Sequence, residues 1–293
     1  MSFIQFQDVS FAYPQIPGDV DEQGNPIVPS PIFEHMSAQL PGGFISLVGP
    51  NASGKSTLML LAAGRLLPQQ GKIFLLGKDT SSLSDEEKQQ IASFIYQNME
   101  FETEETVTEL LNFVYKNGNL NNQTILILCD TKYFTEEQKT EFSNAKTLME
   151  QIESIFELKE IMQLKLSALS KGQMQRVIIA FSLLYGSQSI FMDEPLFALE
   201  TAQKHKVLSF IKGYCKTTGI TVYISMHELE LNKIYPENIL LFYPNRDMDF
   251  GSPEEVLTPQ ALEKAYGVPA AMLKDTEALT RKSLCEQYNA LEK

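Results

Sequence analysis

The sequence predicts an α/β fold in which a mostly parallel sheet carries a phosphate-binding loop. An antiparallel β part is expected at the N-terminus, and a helical subdomain is inserted in the middle. Two observations predict this. Short apolar runs of strand length alternate with longer stretches of helical period, the pattern of βαβ units. One of those runs, Gly43–Val48, leads straight into a glycine-punctuated loop that ends in Lys55-Ser56.

In chain order, Phe3–Val9 alternates apolar and polar residues, as a half-exposed strand does. Pro14–Pro31 is dense in proline and glycine and reads as a long surface excursion at the tip of a hairpin. Gly43–Val48 is a buried strand and Lys55–Leu66 an apolar helix closed by Pro68 and Gly71. Lys72–Leu76 reads as a strand and Asp85–Phe94 as a helix with an acidic start. From about Glu105 to Leu166 helical periodicity dominates, as in Leu148-x-x-x-Ile152-x-x-Ile155. Within it, Asn117–Asn122 is turn-rich, and Thr124–Leu128 fits a short strand or a helix start. The α/β pattern then resumes with a helix at Gln173–Tyr185, a strand at Ser189–Met192 and a helix at Ala202–Lys216. Strands follow at Thr221–Ser225 and Asn238–Phe242, and an amphipathic helical tail from Pro259.

Composition bounds the function. The 293 residues are 43% hydrophobic and 21% charged, ordinary for a globular protein. The longest apolar stretches, such as Val177–Tyr185, fall well short of the ~20 residues that span a bilayer. The start, Met1-Ser2-Phe3-Ile4-Gln5, lacks the pattern of a secretory signal, so a cytoplasmic location is expected. Cys129, Cys215 and Cys285 are scattered and read as reduced thiols. A net charge of −13 argues against nucleic acid as a partner.

The chemistry begins at Gly49-Pro50-Asn51-Ala52-Ser53-Gly54-Lys55-Ser56, which fits G-x-x-x-x-G-K-[ST] at every fixed position. The glycines let backbone N–H groups converge on phosphate oxygens, and the helix beyond adds its positive dipole end. Lys55 is placed to reach the β- and γ-phosphates, Ser56 to ligate Mg²⁺, and Thr57 extends the nucleotide-binding run. Ser189–Met192 ends in Asp193-Glu194: Asp193 is the candidate Mg²⁺ ligand and Glu194 the candidate that polarises the attacking water.

Leu169-Ser170-Lys171-Gly172-Gln173-Met174-Gln175-Arg176 resembles the LSGGQ signature of the ABC ATPases. Tyr13, in Phe11-Ala12-Tyr13-Pro14, is similar to the aromatic residue that stacks on adenine in that family. Gln97, in Ile95-Tyr96-Gln97-Asn98, resembles the Q-loop glutamine that contacts Mg²⁺ and signals to a partner. His227, in Ser225-Met226-His227-Glu228, resembles the switch histidine that senses the γ-phosphate. These landmarks fall in order from Phe3 to about Leu241. The resemblance implies a P-loop ATPase that uses ATP and Mg²⁺, with Glu194, His227 and Gln97 as catalytic residues. It also implies a head-to-tail pair of chains in which Ser170, Gly172 and Gln173 bind the nucleotide of the other copy. The ATPase domain is expected over 1–258, the helical subdomain over about 99–168, and a C-terminal helical tail over 259–293.

Two departures stand out. Lys171 replaces the usual glycine and is read as facing solvent, the alternative being added positive charge near the γ-phosphate. Phe197 and Glu200 replace smaller residues in Pro195-Leu196-Phe197-Ala198-Leu199-Glu200, the loop that links the two ATP sites in the family.

A single such domain resembles the separate ATPase subunit of an importer. Phe250–Thr258 with Leu262 and Ala265–Val268 resembles the end of the branch that takes up iron-siderophores, haem and cobalamin. That implies a transmembrane permease, an external solute-binding protein and a place on the inner face of the membrane. A soluble iron–sulfur assembly ATPase and an exporter subunit are the alternatives. The stretch from Gln97 to Ser170 is longer than that branch leads one to expect, with the excess placed around Asn117–Phe142. The acidic run Glu100-Phe101-Glu102-Thr103-Glu104-Glu105 reads as a solvated face or a contact with a basic permease surface.

Overall fold

A computed structural model describes residues 3–15, 17–18, 26–97, 99–101, 103–120, 125–269 and 272–273. Strands β1 (Ile4–Phe11), β2 (Phe33–Leu40), β4 (Gln70–Leu75) and β5 (Lys78–Asp79) form an antiparallel sheet in the order β2-β1-β4-β5. The second sheet runs β10-β9-β3-β8-β7-β6. It comprises β3 (Phe44–Val48), β6 (Ala92–Ile95), β7 (Ser189–Met192), β8 (Thr221–Ser225), β9 (Asn238–Phe242) and β10 (Met248–Gly251). All neighbours in it pair parallel except β10, which runs antiparallel to β9. Strands β3, β7 and β8 are buried along their whole length, as the continuous apolar runs require of a sheet covered on both faces.

The parallel arrangement has one consequence that governs the rest. The carboxyl ends of β3, β6, β7 and β8 lie along one edge of the sheet, where open α/β sheets bind ligands. The phosphate loop, Gln97, Asp193-Glu194 and Ser225–His227 follow those four ends in turn.

Helix α1 (Lys55–Ala62) packs Leu58, Met59 and Leu61 between the two sheets, against Ile4, Phe6, Leu47 and Phe242. It ends at Ala62, short of the expected Leu66, because the chain turns at Gly64 (φ +66°). Helix α2 (Asp85–Ile91) begins with a capping box between Ser84 and Glu87 and ends before Phe94. The expected helix through Phe94 is corrected here: Ala92–Ile95 is β6, pairing with β7. A run of four residues is too short to carry a period of its own, so the neighbouring strand decides its state.

The helical region consists of α3 (Val107–Asn117), α4 (Glu136–Asn144) and α5 (Leu148–Ile155), each opened by a capping box. Its two ends meet at a neck. Thr106 bridges to Lys165, Val107 N–H donates to Leu164 O and Leu166 N–H to Glu105 O. Residues 125–130 are irregular, neither strand nor helix, and Thr124 lies outside the described residues. Their pairing groups are used elsewhere: Gln151 donates to Ile127 O and accepts from Ile127 N–H. Helices α6 (Lys171–Tyr185) and α7 (Thr201–Thr218) join this region to the sheet in one apolar core.

After α8 (Leu229–Ile234) and α9 (Pro253–Val256), α10 (Pro259–Tyr266) packs Leu262 and Ala265 on Val48 and Tyr243. The start of the tail therefore docks on the strand that carries the phosphate loop. The tail from 274 onward, with Cys285, lies outside the described residues. No helix among the described residues is long and apolar enough to cross a membrane.

Candidate active site

Gly54, φ +101°, caps α1 without any side-chain hydrogen bond, so the first N–H groups of the helix keep their donors for a ligand. Ala52 also takes a left-handed φ of +59°. Glycine at 49 is required by close approach: a Cβ there would stand 2.8 Å from Phe242 O. Lys55 is buried, and its Nζ donates to Gly49 O and Pro50 O at 2.9 Å each. Burial pushes the Lys55 ammonium below the ordinary lysine value, while Glu194 and Asp193 pull it back up. Ser53 Oγ is buried with no hydrogen-bond partner, an orphan hydroxyl that an anion in the loop would satisfy by accepting its O–H. Together these features fit a triphosphate: free N–H donors, a held cation and no acidic side chain in the first turn of α1.

The second half of the site is built on β7 and β8. Ser225 Oγ donates to Asp193 Oδ1 at 2.6 Å and accepts from the Glu194 N–H at 2.8 Å. Glu194 has φ +49°, a left-handed conformation that costs a non-glycine residue about 1–2 kcal/mol. Its carboxylate is held on both oxygens. Gln97 Nε2 donates to Oε2 at 2.9 Å, and His227 Nε2 lies 2.6 Å from Oε1. With the carboxylate ionised, His227 Nε2 is the donor. Two side chains from two other loops thus meet on the Glu194 carboxylate at the sheet edge.

Tyr13 sets its ring edge-on to Phe11, centroids 5.1 Å apart, and its hydroxyl lies 3.1 Å from Thr57 Oγ1. Tyr13 is 41% exposed, accessible enough for a purine to stack on its ring. Thr57 is buried, so its side chain anchors Tyr13. Pro50, Asn51 and Ser56 complete the loop and remain at least partly accessible.

Ser170, Gly172 and Gln173 are not brought to this loop. Ser170 caps α6 and forms a reciprocal capping box with Gln173. Gly172 lies against the 195–200 loop, where an added Cβ would stand 3.0 Å from Ala198 O. Lys171 and Phe197 are exposed, Phe197 by 76%. A cleft of about 550 Å³ runs between them and Glu194, walled by Met99, Phe101 and Met174.

Ser225 is the residue that reading the sequence missed. Its only signal is a small hydroxyl at the last position of an apolar strand, just before Met226-His227.

With the site described, comparison with known proteins decides the family. The sequence profile of the ABC transporter family matches residues 34–197, more than half of the chain. The chain belongs to the ABC transporter family. It is an ATPase, and it binds ATP. Among curated relatives, the petrobactin import ATP-binding protein YclP of Bacillus subtilis (strain 168) is 26% identical over 239 residues, covering 80% of this chain and 86% of that protein. The hemin import ATP-binding protein HmuV of Escherichia coli O157:H7 is 26% identical over 256 residues, covering 83% and 90%. Among solved structures, an inward-facing metal-chelate type ABC transporter superposes with a TM-score of 0.62 at 20% identity, covering 92% of this chain and 90% of that one. The dimeric ATP-binding cassette MJ0796 with ADP and Pi superposes at 0.60 and 21%, covering 82% and 94%. At those identities the structures bear on the fold alone.

Proposed function

We propose that this ATPase powers uptake of a metal-chelate solute, of the iron-siderophore or haem class, through a separate permease. The names of its relatives support the solute class: petrobactin, hemin and, for FhuC of Bacillus subtilis, iron(3+)-hydroxamate, each imported. The observation that carries the chemistry is the Glu194 carboxylate, held between Gln97 and His227 beside Asp193.

In this reading ATP lies with its adenine on Tyr13 and its phosphates on residues 49–57. Ser56, Asp193 and Gln97 would hold the Mg²⁺ that accompanies ATP, which would supply neutralisation of phosphate charge. Lys55 binds the β- and γ-oxygens. Glu194 orients a water in line with the γ-phosphorus and accepts its proton as the new O–P bond forms and the bond to ADP breaks. His227 and Gln97 keep the carboxylate aimed.

Ser170, Gly172 and Gln173 then serve the ATP of a second, head-to-tail copy. This is supported by the exposure of Ser170, by the partial exposure of Gly172 and Gln173, and by the cap that Ser170 and Gln173 form at α6. In this proposal the ATPase domain spans residues 1–258, with the helical subdomain inserted over about 99–168. The permease holds the chain at the inner face of the membrane, and an external solute-binding protein delivers the cargo. Affinity purification of the tagged chain from detergent-solubilised membranes tests the proposal. A multi-span membrane protein should co-purify in stoichiometric amount. Recovery of only a soluble scaffold would overturn it.

A further inference from the structure

Four side chains from three helices converge on one carboxylate that lies outside the reacting groups. Glu157 follows α5 and takes φ +50°, a region glycine enters more easily. Its Oε1 accepts from Lys206 Nζ and Gln138 Nε2, each at 2.9 Å, and its Oε2 from Gln203 Nε2 at 2.7 Å. Arg176 Nη1 stands 3.5 Å from Oε2 and donates to the carbonyls of Phe156 and Glu157. Lys206 is almost wholly buried, and Glu157 is its ion-pair partner. Burial alone would raise the Glu157 carboxyl, but the hydrogen bonds from Lys206 and Gln203 outweigh it and hold the group below the ordinary range.

The donors come from the elements that matter. Arg176 is four residues past Gly172, one turn along the same face of α6. Gln203 and Lys206 lie on the first two turns of α7, directly after the 195–200 loop. Gln138 belongs to α4, in the extra length between Gln97 and Ser170. Gly172 already touches Ala198, so α6 and the loop meet at one end while Glu157 clasps the helices behind them.

We infer that Glu157 is a positioning residue for the ATPase. It locks the Ser170–Gln173 end of α6 to the 195–200 loop, so that both face the second copy's ATP in one fixed geometry, and it ties α4 to the same carboxylate. The inference rests on the shared-site reading proposed above.

Full-length variants decide it. Glu157→Gln alone should lower turnover by about tenfold or more, since small misplacements of this kind are that costly. Its affinity for a fluorescent ATP analogue should stay within about twofold, because its own phosphate loop is untouched. Mixed one to one with Lys55→Ala, it should regain turnover well above either variant alone. The intact loop of one chain then meets the intact α6 of the other. Full turnover in Glu157→Gln would overturn the inference. So would a mixture that restores nothing while a control mixture of Ser170→Arg with Lys55→Ala does. If neither mixture recovers, the shared-site reading falls and takes the inference with it. The double variant Glu157→Gln/Lys206→Met removes the stranded buried cation. It should melt like the parent yet keep the turnover loss; recovery of full turnover in it would overturn positioning as the cause.

Discussion

At Glu194 and Glu157 the chain places glutamates in left-handed backbone conformations, and at both the side chain explains why. Each carboxylate accepts from groups on separate elements, so its contacts offset the local strain. At Glu157 the balance is also a statement about pH. Its folded-state pKa lies below the ordinary 4.5, so its contribution is fully present above that value and is lost as pH falls through the lower folded-state value. The thermal midpoints of the parent and Glu157→Gln should therefore differ most above 4.5 and converge as the solution is acidified below it. Calorimetry across that window checks this, and parallel curves would contradict it. Of these residues, Glu194 was legible in the sequence because it ends an apolar strand within a known order of landmarks. Glu157 was not: nothing in Phe156-Glu157-Leu158 announces that Gln138, Arg176, Gln203 and Lys206 converge there.

Among the elements, the segment 125–130 shows how an irregular stretch is packed. It lies across α7 at Gly213, where an added Cβ would come within 2.2 Å of Leu128 O. Its own Ile127 is fully buried, and Ser209 Oγ donates to Asp130 O. Two effects of Gly213→Ala compete. Helix propensity favours alanine by about 1 kcal/mol, whereas overpacking against backbone costs about 1–3 kcal/mol. The clash is with a carbonyl and cannot be relieved by a rotamer change, so the variant should be less stable than the parent. Denaturant unfolding measures the sign, and a stabilised variant would show that the segment yields freely. The same scale explains the β6 correction. Capping boxes such as Ser84/Glu87 mark helix starts in the sequence, but the end of α2 is fixed by pairing with β7.

For the whole molecule, a net charge of −13 sets the terms on which two copies meet. Like-charged chains repel, and salt screens that repulsion over about 8–10 Å at ordinary ionic strength. Glu194→Gln should slow hydrolysis by about 10²–10⁴-fold while ATP still binds, trapping the pair. Light scattering should then show an ATP-dependent doubling of mass that strengthens from low to moderate salt. Hydrolysis near the parental rate would remove Glu194 from the role proposed for it. A pair that weakens with salt would mean that local attraction outweighs net charge.

The sequence by itself determined the α/β class, the phosphate loop, the Asp193-Glu194 strand end and the order of landmarks from Tyr13 to His227. Each of these is local, written as a period, a cap or a run of adjacent residues. Only the tertiary structure decided that Gln97 and His227 meet on the two oxygens of Glu194, that Ser225 seats Asp193, and that Thr57 anchors Tyr13. The same holds for Glu157 and for the docking of α10 on Val48. The physical reason is common to all of them. Parallel strands bring residues far apart in sequence to one sheet edge, and side chains that meet across such distances leave no periodic trace in the chain.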